Sequence, residues 1–82
     1  MNKILITIYV LNTESQYDLM IPINLSVKEA LDLIQDAIVE LSSNAYKKNE
    51  EALLYDEDGK NINQENIVKF SGLKNGSKVL LV

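Results

Sequence analysis

Two periodicities divide this chain, and the second occurs once. Over residues 3–23, apart from a polar break at Asn12–Gln16, apolar side chains recur at every second position; over residues 27–41 they recur every three or four. Alternating side chains point to opposite faces of a strand, whereas a spacing of three and four lays one stripe along a helix. A chain patterned this way can build one sheet with one helix packed on one face.

Residues 3–11 read as a strand with Ile4, Ile6, Ile8 and Val10 on one face and Leu5, Thr7, Tyr9 and Leu11 on the other. Asn12–Gln16 is a turn, and residues 17–23 form a second strand. Tyr17, Leu19 and Ile21 point one way there, with Asp18, Met20 and Pro22 opposite. The short connection makes the pair an antiparallel hairpin. Pro22 has no N–H to donate, so it belongs near the strand's end or on an edge.

The helix start is marked by Ser26 and, three residues on, Glu29: a capping box in which each side chain satisfies the other's backbone N–H. Val27, Leu31, Ile34, Ile38 and Leu41 then fall on one stripe with Ala30 and Ala37 beside it, while Lys28, Glu29, Asp32, Gln35, Asp36 and Glu40 fill the opposite arc. The helix is expected to end near Ser42–Asn44. After a polar loop over 45–51, Ala52–Tyr55 reads as a short strand whose register is open between Leu53 and Leu54 facing inward. Asp56–Gly59 turns it into a brief strand around Ile62. Asn63–Phe70 supports a single turn at most, Lys74–Ser77 contains a turn dipeptide, and Lys78–Val82 closes the sheet.

The order β-β-α-β-β-β is that of the β-grasp, or ubiquitin-like, fold: an α+β architecture with one mixed sheet and a single helix. Two segments resemble that superfamily in its usual register, Ser26-Val27-Lys28-Glu29-Ala30 and Leu73-Lys74-Asn75-Gly76-Ser77-Lys78-Val79-Leu80-Leu81. Within it, Tyr17-Asp18-Leu19-Met20-Ile21-Pro22 leading into Leu25-Ser26-Val27-Lys28 is similar to the YukD/EsaB group, small bacterial ubiquitin-like proteins associated with type VII (WXG100) secretion. The resemblance covers nearly all of residues 1–82, read as one domain. It implies a cytoplasmic accessory or regulatory protein whose partners are membrane-embedded or ATPase subunits of that apparatus.

Composition narrows the chemistry. The 82 residues include no cysteine and no histidine, which removes disulfides, thiolate metal sites, thiol nucleophiles and serine–histidine pairs. No catalytic residue, metal ligand or cofactor site is therefore expected, and the chain reads as a non-enzyme. Eight lysines and no arginine against twelve carboxylates give a net charge of −4, unlike the basic face a nucleic-acid binder needs. Asn2-Lys3 ahead of the apolar run could open a signal peptide, but the run is short, alternates, and leads to Asn12-Thr13-Glu14-Ser15. No stretch reaches the ~20 apolar residues of a membrane span, so no insertion is expected. Modifiers and sulfur carriers of the superfamily, such as those resembling MoaD and ThiS, end in Gly-Gly. The sequence here ends Leu80-Leu81-Val82, so that alternative requires a tail it does not contain.

The candidate binding site is the sheet face away from the helix. In the β-grasp register Leu5, Tyr9, Leu11, Met20, Leu80 and Val82 point outward, six apolar side chains on a face that one helix cannot cover; Leu54 joins them if the third strand takes the other register. Contiguous exposed apolar area marks partner sites. Burying about 300 Å² contributes roughly 7 kcal/mol before association costs. Strand propensity alone also places leucine and tyrosine on such a face. Three other features have plainer readings. Glu29, Asp32, Asp36 and Glu40 form a carboxylate row without a cation, read as a solvated face. Asp56-Glu57-Asp58-Gly59 resembles part of a calcium loop, but the first ligand position would be Leu54, so a hairpin turn is favoured. Tyr46-Lys47-Lys48 reads as a solvated loop.

Overall fold

The computed structural model describes residues 2–82. Its elements are β1 (Lys3–Val10), β2 (Ser15–Pro22), α1 (Val27–Leu41), β3 (Leu54–Tyr55), a short 3-10 helix (Val68–Phe70) and β4 (Lys78–Leu81). The sheet order is β2-β1-β4-β3. β1 pairs antiparallel with β2 and parallel with β4, and β3 pairs antiparallel with β4, so the sheet is mixed. β2 is an edge strand and Pro22 is its last residue, where a missing donor costs the ladder nothing.

The even-numbered residues of β1 bury Ile4, Ile6, Ile8 and Val10 against Val27, Ala30, Leu31, Ile34 and Ile38 of α1. Val79 and Leu81 of β4 extend the layer, and Val68 of the 3-10 helix closes it together with Ile62, Ala52 and Tyr46 from the loops. Ser26 caps α1 as its sequence requires: Glu29 N–H donates to Ser26 Oγ at 3.1 Å and Ser26 N–H to Glu29 Oε1 at 3.0 Å.

Several expectations change. The strand around Ile62 is reduced to one bridge between Tyr55 and Asn61, leaving four strands. The Asp56 carboxylate closes the turn by accepting from Asp58 N–H and Lys60 N–H, both at 2.9 Å. Past it Ile62 N–H still donates to Leu54 O at 2.8 Å, but the chain turns away at Asn63, whose Oδ1 accepts from Glu65 N–H, before a longer ladder forms. The register of β3 puts Leu54 inward at 1% exposure, so Leu54 belongs to the core and not to the outer face. Leu41 stands 59% exposed although it lies on the apolar stripe, because the core beneath ends at Ile38 and the chain leaves the helix at Ser42. Gln35, assigned to the polar arc, is buried. β1 ends at Val10 and β2 begins at Ser15, two residues before the expected start.

Candidate functional site

The pairing register sorts the outer face into rows. Leu5 lies opposite Met20. Next come Asp18, Thr7 and Lys78 side by side, then Gln16, Tyr9, Leu80 and Tyr55. Beyond these, Leu11 donates its N–H to Leu81 O, and Val82 exchanges two backbone hydrogen bonds with Leu53 at 3.0 and 3.1 Å. Leu5, Tyr9, Leu11, Met20 and Val82 are exposed to between 37% and 55%, and Leu80 is half-buried between the two tyrosine positions.

The six residues do not form one patch. The Thr7 hydroxyl donates to Asp18 Oδ1 at 2.7 Å, and Lys78 flanks Thr7 on the other side. That polar row separates Leu5 and Met20 from Tyr9, Leu80, Leu11 and Val82. Leu5 and Tyr9 are four residue steps apart along the strand, about 13 Å. The Leu5 end is further occupied by the Asn75–Gly76 turn, where Leu5 N–H donates to Asn75 Oδ1 at 2.8 Å and Gly76 N–H to Leu5 O at 2.7 Å. Gly76 sits at φ +90°, a conformation that the turn's close approach to β1 requires and that side chains resist.

At the other end, Tyr9, Leu80, Tyr55, Gln16, Leu11, Val82 and Leu53 form a block without a charged side chain. Two tyrosines with aliphatic neighbours suit a partner surface, because each ring adds apolar area at low entropic cost and carries a hydroxyl for a wet rim. Tyr55 and Leu53 were not in the sequence assignment. They become legible once Leu54 is placed inward, since its neighbours must then point out.

The other features resolve into structure. Lys48 reaches the carboxylate row of α1, with Nζ 2.6 Å from Asp32 Oδ1 and 2.9 Å from Asp36 Oδ1, so the row does hold a cation and the 45–51 loop is docked. Hydrogen bonds to Asp32 and then to Asp36 hold the Lys48 ammonium above its ordinary pKa. Beneath it the Tyr46 hydroxyl donates to Gln35 Oε1 at 2.6 Å, which also accepts from Asn49 N–H at 2.8 Å. Gln35 Nε2 donates in turn to Asn49 O at 3.0 Å. Burial pushes the Tyr46 phenol up. A broad, open hollow lies beside the start of α1, between Leu25, Lys28, Asp32, Gln35, Lys48 and Gln64. Within its lining Lys48 is paired with Asp32, and Gln35 is taken up by Tyr46 and Asn49. Among the described residues no three acidic side chains are grouped to hold a metal, and no helix is long and apolar enough to cross a membrane.

Neither a protein-family model nor a curated protein matches the sequence. Solved structures match over the whole chain. A chain described under molecular mimicry of SUMO in DNA repair has a TM-score of 0.76 at 22% identity, with 100% of this chain and 92% of that one covered. The ubiquitin-like domain of the type VII secretion system protein ECCD1 of Mycobacterium tuberculosis gives 0.72 at 14% identity, covering 100% of this chain and 99% of that one. A chain of an ESX-5 inner membrane complex gives 0.71 at 11% identity, covering 100% of this chain and 21% of that one. At such identities the likeness is one of fold, and the fold is ubiquitin-like: a small mixed sheet of four strands carrying one helix.

Proposed function

We propose that this chain is a non-catalytic ubiquitin-like interaction module, one domain over residues 1–82, that serves as an accessory or regulatory component of a bacterial type VII secretion system. It works in the cytoplasm and meets the inner face of the membrane through its partner, the membrane component or the ATPase of that apparatus. The observation that carries the reading is the block without a charged side chain around Tyr9, Leu80 and Tyr55, on the sheet face opposite α1, which no element among the described residues covers. In this reading, of the candidates Leu5, Tyr9, Leu11, Met20, Leu80 and Val82, the group Tyr9, Leu11, Leu80 and Val82 makes the main contact, and Leu5 and Met20 lie beyond the polar row. The secretion assignment is supported by the resemblance of Tyr17–Pro22 and Leu25–Lys28 to the YukD/EsaB group, and by the likeness in fold to the ECCD1 domain.

The test is a calorimetric titration against soluble domains of the secretion ATPase and membrane component encoded in the same genome. Saturable binding that Tyr9→Ser with Leu80→Ser abolishes, with circular dichroism unchanged, supports the proposal. Binding that survives the double substitution overturns the surface, and no binding to either domain overturns the partner.

A further inference from the structure

Asn75–Gly76 is the one place in the chain where glycine follows asparagine; every other asparagine precedes a residue with a Cβ. This dipeptide carries a chemistry of its own. The backbone nitrogen after an asparagine can attack the side-chain carbonyl carbon, and glycine obstructs that approach least. The nitrogen attacks only after hydroxide has removed its proton, because a neutral amide nitrogen is not nucleophilic. Asn75 and Gly76 are both exposed, so water and hydroxide reach them.

The fold ties both reacting groups to a single residue. Asn75 Oδ1 accepts from Leu5 N–H at 2.8 Å, and Gly76 N–H donates to Leu5 O at 2.7 Å. The N–H and C=O of one strand residue point to the same side, so the dipeptide takes the place of a ladder partner for Leu5. It does so just ahead of the point where Thr7 N–H donates to Ser77 O and β4 begins to pair. Lys74 N–H donates to Ser77 Oγ and Ser77 N–H to Lys74 O, both at 3.0 Å, which closes the turn from its other side. The proton that the reaction must remove is therefore the one that β1 holds.

We propose that Asn75 is a self-modification site gated by β1: while Leu5 holds the dipeptide the side-chain amide persists, and each local opening of the turn exposes it to deamidation. In the open state hydroxide takes the Gly76 proton, and the nitrogen bonds to Asn75 Cγ. The bond from Cγ to Nδ2 breaks, and ammonia leaves with a proton from water, which restores the hydroxide and leaves a cyclic imide. Water then opens the imide. Attack at Cγ gives aspartate with the main chain as before, whereas attack at the backbone carbonyl carbon gives isoaspartate. The two products differ at β1. Aspartate keeps both contacts, with a carboxylate oxygen accepting from Leu5 N–H. Isoaspartate routes the chain through Cβ and Cγ, so its carboxylate and the Gly76 N–H no longer match the spacing of the Leu5 N–H and C=O. The change falls at the Leu5 end of the outer face, across the polar row from Tyr9 and Leu80.

The test follows the full chain in mildly alkaline buffer by peptide mapping in a mass spectrometer, with isoaspartate counted by enzymatic carboxyl methylation. Conversion is expected at Asn75 ahead of every other asparagine, and at least about tenfold slower in the folded chain than in urea-unfolded chain. Base-catalysed amide exchange of Gly76 passes through the same nitrogen anion. Across a series of sub-denaturing urea concentrations, exchange at Gly76 and deamidation at Asn75 should therefore rise by the same factor. Asn75→Asp is expected to keep the parent's protection at Leu5 and Gly76, and the purified isoaspartate form to lose it. The proposal is overturned if folded and unfolded chains convert alike, if another asparagine converts first, if exchange and conversion change by different factors, or if the isoaspartate form keeps that protection.

Discussion

Thr7 and Asp18 face each other across the β1–β2 ladder, joined by a 2.7 Å hydrogen bond between their side chains, and this pair divides the apolar residues of the outer face into two unequal groups. The larger group, around Tyr9 and Leu80, is the one a partner can desolvate as a unit. Tyr9→Ser with Leu80→Ser is therefore expected to weaken partner binding by at least about tenfold more than Leu5→Ser with Met20→Ser, since hot spots sit at the centre of a packed patch. Calorimetry on the two double variants decides it. Equal losses would mean that the partner spans the polar row.

Closing that gap has its own consequence. Thr7→Val with Asp18→Val removes both polar groups and leaves a continuous apolar band from Met20 to Leu80. Bands of that size drive association. Sedimentation at rising concentration is expected to show more self-association than the parent chain. An unchanged profile would argue that the Thr7–Asp18 pair is not what interrupts the surface.

Gln35 holds the 45–51 loop to α1 through three hydrogen bonds, to Tyr46, Asn49 N–H and Asn49 O. Gln35→Ala leaves these groups without partners in a buried place and opens a small cavity. A loss of about 2 kcal/mol is expected in urea denaturation. Amide exchange at 46–49 should accelerate in the same variant. Asp36→Ala, one residue along on the exposed side, serves as the comparison and changes the midpoint little.

Burial raises the Tyr46 phenol above its ordinary pKa of about 10. The folded chain thus holds that proton more tightly than the unfolded one. This contribution to stability is complete below the unfolded value and is lost as pH rises through the folded one. Tyr46→Phe costs about 1 kcal/mol at neutral pH through the bond to Gln35. Its alkaline loss of stability should be shallower than the parent's, with the contribution of Lys48, which titrates in the same direction, remaining in both. Denaturation midpoints measured across the alkaline range test this; parallel curves for the two chains would refute it.

Ser26→Ala removes one half of the capping box and leaves Glu29 N–H without its acceptor. The expected cost is about 1 kcal/mol, which for a chain of this length corresponds to a drop of roughly 4–8 °C in Tm. A thermal scan by circular dichroism measures it, and Ser26→Asn, which preserves the cap, should recover most of the loss.

The elements that a local pattern specifies were legible without coordinates. Alternation at Ile4, Ile6, Ile8 and Val10 and the stripe Val27–Ile38 follow from 2- and 3.6-residue periods, and the Ser26–Glu29 cap from three residues of spacing; these act within one or two turns of chain. Which way the two-residue strand β3 faces, whether Gln35 is buried and whether Leu41 is covered depend on groups far along the sequence. Leu54 points inward because Leu81 fixes its register, Gln35 is buried because Tyr46 and Asn49 fold back over it, and Leu41 is bare because the core stops short. The division of the outer face by Thr7, Asp18 and Lys78 belongs to the same class. Those residues come from three strands, and only the pairing of β2, β1 and β4 brings them into one row.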